Sequence, residues 1–103
     1  MDRIAQIKQL LLATPNDSFL KHALALEYIK LNDDTTAQQL FEELLAYEPG
    51  YVGSYYQLAK LFERKGDREA AIRTYEKGME MAKAANERHA LNELRSAYEE
   101  LIY

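Results

Sequence analysis

Two histidines and no cysteine bound the metal chemistry open to this 103-residue chain. A zinc site built on His22 and His89 would need carboxylates gathered from several elements, whereas solvated or packed imidazoles account for both residues more simply. Ser18-Phe19-Leu20-Lys21 has the spacing of a serine nucleophile activated by lysine, but the companion motifs that complete such a site are absent. The acid pairs Asp33-Asp34, Glu42-Glu43 and Glu99-Glu100 suggest proton transfer only at first sight. Neighbouring side chains on a helix point about 100° apart, so these pairs read as caps and solubilising charge. Gly50 and Gly53 are too sparse to cradle a phosphate, and Asn16-Asp17-Ser18 is a glycosylation triplet with no secretory route to use it. No catalytic constellation, metal or cofactor is expected. The remaining chemistry is adhesive. Tyr56 offers a large rigid surface with a polar tip, and Lys60 and Arg64 lie one turn apart beside it.

Those side chains need a frame, and the composition says which kind. Ala, Leu, Glu, Lys and Gln are abundant, with four glycines and two prolines in the whole chain, so the residues that lose least on entering a helix dominate. A fold of this length buries roughly two thirds of the surface its unfolded chain exposes, enough for one domain without staples. The absence of cysteine excludes disulfides and is compatible with a reducing cytoplasm, which is the expected location. Met-Asp-Arg-Ile-Ala-Gln lacks the basic start and unbroken apolar run of a secretory signal. Leu10-Leu11-Leu12-Ala13, the longest purely apolar run, falls far short of the roughly 20 residues that cross a bilayer. Seventeen acidic against thirteen basic residues give a formal charge of -4, which repels a phosphate backbone. Neither nucleic acid nor membrane is an expected partner.

Apolar spacing and turn residues divide the chain into six helices. Ile4, Ile7, Leu10 and Leu11 predict a helix over 2–13, stopped by Thr14-Pro15-Asn16-Asp17. Phe19, Leu20, Leu24, Tyr28 and Leu31 predict a second over 17–31, and Asn32-Asp33-Asp34 reads as a turn ending in a cap. Ala37, Leu40, Phe41, Leu44 and Leu45 mark a third, ended at Glu48-Pro49-Gly50 because proline lacks an amide hydrogen. Tyr55, Leu58, Ala59 and Phe62 lie on a fourth over 51–65, and Gly66-Asp67 separates it from a fifth over 68–84. Leu91, Leu94, Tyr98 and Leu101 predict the last over 87–101. Short turns make successive helices antiparallel neighbours.

The order within these helices repeats. Thirty-four residues separate Pro15 from Pro49, Leu24 from Leu58, Ala25 from Ala59, Tyr28 from Phe62, Ala37 from Ala71 and Phe41 from Tyr75. Ile7 extends the register backward to Phe41, and Leu10 to Leu44 and Gly78. Small residues at the alanine positions let paired helices approach, and aromatics fill the gaps between them. With these residues at this period, the chain resembles the tetratricopeptide repeat family, whose unit is a helix-turn-helix of 34 residues. Lys21 departs from the pattern, standing where the leading aromatic of the first unit would fall. At the C-terminus the 34-residue step fails, and a 36-residue step pairs Tyr55 with Leu91, Leu58 with Leu94 and Phe62 with Tyr98. That implies a two-residue insertion near Ala84-Ala85-Asn86. The expected architecture is an all-α, right-handed superhelix of antiparallel helix pairs in a single domain. It comprises an N-terminal helix (2–13) resembling a second repeat helix, repeat 1 (18–51), repeat 2 (52–85) and a capping helix (87–101).

The resemblance implies a function as well as a fold. In this family the first helix of each unit lines a concave groove, which places His22, Leu26 and Ile29, then Tyr56, Gln57, Lys60, Glu63 and Arg64, then Asn92, Glu93, Ser96 and Glu99 along it. One subgroup grips a terminal carboxylate there with lysine, arginine and asparagine. The matching positions here hold His22, Leu26, Gln57 and Glu93, so that clamp is not assembled. A protein or peptide segment of mixed or basic charge is the expected ligand, held without catalysis. The alternative is a structural role in which Ile4, Leu11 and Leu12 of the first helix stay partly exposed and drive homodimerisation or docking.

Overall fold

A computed structural model describes residues 2–103, and among them the regular elements are helices only. Helices α1 (Arg3–Ala13), α2 (Ser18–Lys30), α3 (Asp34–Tyr47), α4 (Gly53–Lys65), α5 (Arg68–Ala84) and α6 (Arg88–Ile102) follow in chain order. Local chemistry sets most of the boundaries. Carboxylates of Asp2, Asp17, Asp33 and Asp67 accept the amide hydrogens of Ile4, Leu20, Thr36 and Ala70, at 3.2, 3.0, 3.1 and 3.1 Å. Each satisfies an amide that a helix start leaves without a partner. Thr36 also donates its hydroxyl to Asp33 at 2.7 Å, and these two hydrogen bonds hold the Asp33 carboxyl below its ordinary value. At the C-terminal ends, Asn32 (φ 61°), Gly66 (φ 86°) and Asn86 (φ 57°) take the left-handed conformation that reverses the chain.

The chain forms two compact units, residues 2–48 and Pro49–Tyr103. In the first, α2 packs against both α1 and α3, and Ile7, Leu24, Ala25, Ala37, Phe41 and Leu44 are buried. The Ser18 hydroxyl donates to Glu48 at 2.6 Å, tying the start of α2 to the end of α3. Lys21, in place of an aromatic, spans to Glu43 of α3 at 3.8 Å. The serine-lysine spacing is thus spent on two separate structural contacts. Leu10, Phe19 and Leu31, assigned by spacing to apolar faces, are exposed at 57%, 70% and 63%. A helix packed on one side buries only a narrow stripe, and in α1 that stripe centres on Ile7.

In the second unit, α5 packs against α4 and α6, and α4 also touches α6. Tyr55, Leu58, Ala59, Leu61, Phe62, Ala71, Tyr75, Ala82 and Leu94 form the core. Gly78 explains how closely these helices approach, because a Cβ added there would lie 2.7 Å from Tyr55 Cβ and 3.2 Å from Leu94 Cδ1. Tyr55 donates its hydroxyl to the Pro49 carbonyl at 2.6 Å, fixing the turn before α4. Helix α4 starts at Gly53, two residues later than the pattern predicts, because Tyr51 and Val52 belong to that turn and accept from Ser54 and Tyr55. Helix α5 has 17 residues against 14 in α3. In α6, Leu94 and Ala97 are buried, Leu91 and Tyr98 are half-buried, and Asn92, Glu93, Arg95 and Ser96 are exposed.

Candidate functional site

Tyr56, Lys60 and Glu63 are spaced i, i+4, i+7 and therefore share one stripe of α4. Lys60 Nζ lies 5.5 Å from the centre of the Tyr56 ring and 3.6 Å from Glu63 Oε2. Glu63 in turn accepts the hydroxyl of Tyr75, which rises from α5. The Tyr56 and Tyr75 rings meet edge to face, with centroids 6.5 Å apart and planes at 70°. One ammonium, one carboxylate and two phenols are thus joined in one set of contacts, from which parts of Tyr56 and Lys60 remain accessible. Burial, followed by the hydrogen bond to Glu63, raises the Tyr75 hydroxyl well above its ordinary value, and Glu63, Tyr56 and Glu100 add to the shift through their charge.

Across from this stripe stands α6. Tyr56 and Lys60 of α4, with Glu93, Ser96, Ala97 and Glu100 of α6, line an open hollow of about 210 Å³. The α6 residues follow i, i+3, i+4, i+7, the spacing of one helix face. The structure thereby brings together four residues read from the sequence as groove positions: Tyr56, Lys60, Glu93 and Ser96. Asn92 is not among the lining residues; its side-chain oxygen accepts from Arg95 at 3.5 Å. Glu99 does not line the hollow either, and its neighbour Glu100 does. Gln57 is half-buried on α4, while Arg64 is exposed near the end of that helix. Sequence reasoning missed Ala97 and Glu100 as wall residues and Tyr75 as the support for Glu63. The core position of Tyr75 was legible, but the destination of its hydroxyl was not.

In the first unit, His22, Leu26 and Ile29 are all half-buried on α2. His22 meets Phe41 of α3 edge to face, at 5.3 Å and 67°, and burial lowers its pKa from the ordinary 6.5. His89 is 92% exposed, with Nε2 3.7 Å from Glu93 Oε1. Among the described residues, no group of three or more histidine, cysteine, aspartate or glutamate side chains is placed to hold a metal ion. No helix of the described residues is long and apolar enough to cross a membrane.

Comparison with known proteins agrees with this architecture. The sequence profile of the tetratricopeptide repeat matches residues 28–97. A tetratricopeptide repeat domain protein from Salinibacter ruber, solved by NMR, is 41% identical, with 85% of this chain and 89% of that one covered and a TM-score of 0.82. A protein from Bordetella parapertussis superposes with a TM-score of 0.83 over 98% of this chain and 88% of its own, at 20% identity. The first such domain of the Spaghetti (RPAP3) protein, determined bound to an HSP90 peptide, gives a TM-score of 0.76 at 23% identity, covering 97% of this chain and 78% of that one. The last two likenesses concern the fold alone, whereas the profile match and the Salinibacter relative carry the family. With its 34-residue period, its alanine-lined helix contacts and these two matches, the chain belongs to the tetratricopeptide repeat family.

Proposed function

We propose that this chain is a non-catalytic interaction module, which holds a peptide or protein segment in the groove lined by the first helices of its repeats. The observation that carries this reading is the α4 stripe: Tyr56 contacts Tyr75 and Lys60 contacts Glu63 beside a hollow that an extended side chain can enter. Groups already ordered lose little conformational entropy on binding, which is the general advantage of a rigid surface. The contact residues in this reading are His22, Leu26 and Ile29 on α2 of the first unit and, in the second unit, Tyr56, Gln57, Lys60 and Arg64 on α4 and Asn92 on α6. A domain of this fold held an HSP90 peptide in the Spaghetti structure, which supports peptide capture as the mode. The chain acts in the cytoplasm and uses no cofactor. The test is a pull-down from the native lysate with the wild type and with Tyr56→Ala/Lys60→Ala. The variant loses the main partner if the groove is the contact surface, and an unchanged set of partners refutes the reading.

A second reading rests on α1. Leu10 and Leu12 are exposed at 57% and 81%, and Ile4 and Leu11 are half-buried, so this helix offers an apolar edge for self-association or docking. Light scattering across a wide concentration range decides it. A monomer throughout removes the homodimer.

A further inference from the structure

Charges around the α4–α6 hollow do not balance. Lys60 is the only basic residue in its lining, and its ammonium is committed to Glu63 and to the face of Tyr56. Glu93 and Glu100 supply two carboxylates on the opposite wall. Glu93 lies 3.7 Å from the exposed imidazole of His89, which compensates it only when protonated. Glu100 is exposed on α6, and its charge is one of those opposing ionisation of Tyr75. The rest of the lining is a phenol ring, a serine hydroxyl and an alanine. An aromatic wall, a hydroxyl acceptor and two carboxylates against one ammonium in one small hollow suit a flat cation with several fixed donors.

We propose that this hollow receives an arginine side chain of the partner segment, with its guanidinium bound by Glu93 and Glu100 and its stem laid against Tyr56 and Ala97. The proposal rests on the groove reading above and gives that groove its chemical preference. Arginine fits better than lysine because its planar fork can donate to more than one acceptor at once and can stack on a ring, whereas an ammonium acts as a point charge. An acidic segment meets like charge at the same wall. The overall charge of -4 adds long-range attraction for a basic segment, and salt weakens it.

The experiment selects a random peptide library on the immobilised chain, resynthesises the recovered peptides and measures their affinity by fluorescence anisotropy. Recovered peptides are expected to share an arginine whose replacement by citrulline, a neutral isostere, weakens binding by about tenfold. The Glu93→Gln/Glu100→Gln variant, checked for folding by circular dichroism, should bind the arginine and citrulline peptides equally. Tyr56→Ala should weaken both. Peptides that depend on Tyr56 but carry no required arginine, that bind the double variant as tightly as the wild type, or that bind as well with lysine in that place overturn the arginine pocket and leave the groove reading intact. Peptides indifferent to Tyr56 and Lys60, or a library that yields no binder, overturn both.

Discussion

In the helix pair α2–α3, His22 stands edge-on to Phe41; thirty-four residues later, in α4–α5, Tyr56 stands edge-on to Tyr75. The same step takes Leu26 to Lys60 and Ile29 to Glu63. One frame thus carries a histidine with two aliphatic residues in the first pair and a tyrosine with two charged residues in the second. The substitutions are coupled by physical need. Phe41 has no hydroxyl, and an aliphatic side chain occupies the Ile29 position; Tyr75 has a buried hydroxyl that must find an acceptor, and Glu63 provides it. Packing is exchanged in the same way. The first pair has Lys21 and Leu44 where the second has Tyr55 and Gly78, so a bulky ring on α4 is matched by the loss of a whole side chain on α5. A repeat fixes where helices approach, and the identity of each facing pair remains open provided volume and polarity are made up within that pair.

The deepest break in this comparison comes from the Leu44 and Gly78 positions. Leu44 is fully buried, and Leu44→Ala is expected to cost about 2–5 kcal/mol in chemical denaturation, because the removed methyl groups leave a cavity. Gly78→Ala should also destabilise, against the usual gain from replacing glycine in a helix. The new Cβ meets Tyr55 Cβ at 2.7 Å, and overpacking of about 1–3 kcal/mol outweighs about 1 kcal/mol of helix propensity. A more stable Gly78→Ala protein would show that the helices can part there at little cost.

A smaller effect tests the polar pair. Tyr75→Phe leaves Glu63 without its phenol donor and should cost about 1 kcal/mol. Combined with Glu63→Ile it recreates the Phe41 and Ile29 pair of the first unit, so the double variant should be less destabilised than the sum of the single changes. Strict additivity in the double-mutant cycle would sever the proposed coupling.

The smallest effects are in pH. His22 has its pKa lowered by burial, so the folded state disfavours its charged form. Its contribution is intact above pH 6.5 and lost as the pH falls below that value. Tyr75 is raised above 10.0, so its contribution is intact below that pH and lost as the pH rises beyond it. Thermal melting across pH should therefore show an acid limb weakened in His22→Gln and an alkaline limb weakened in Tyr75→Phe. Tyr55 and Tyr98, also raised, sustain the remainder of the alkaline limb. An acid limb unchanged by His22→Gln would exclude the imidazole as its source.

Much of this molecule was legible because the signals are local. Asp17, Asp33 and Asp67 announce caps, Asn32 and Gly66 announce reversals, and the alanines at positions 25, 59, 37 and 71 announce close contact. The candidate site was legible only to the level of a helix face. Tyr56, Lys60, Glu93 and Ser96 were all named from register, yet register gives a direction to within roughly one residue, which is why Glu100 rather than Glu99 lines the hollow. Leu10 and Phe19 failed for the complementary reason: an apolar residue on the correct side stays exposed where no neighbour covers it.

The sequence by itself determined the helices, their turns and the repeat that orders them, because propensity, capping and period act between residues close in the chain. Only the tertiary structure decided that Tyr75 reaches Glu63, that Gly78 is spent on Tyr55 and that two glutamates of α6 face Tyr56 and Lys60. Those facts join residues 12 to 44 positions apart in the sequence, and the separation of side chains on packed helices is set by volume and crossing geometry, which no local pattern encodes.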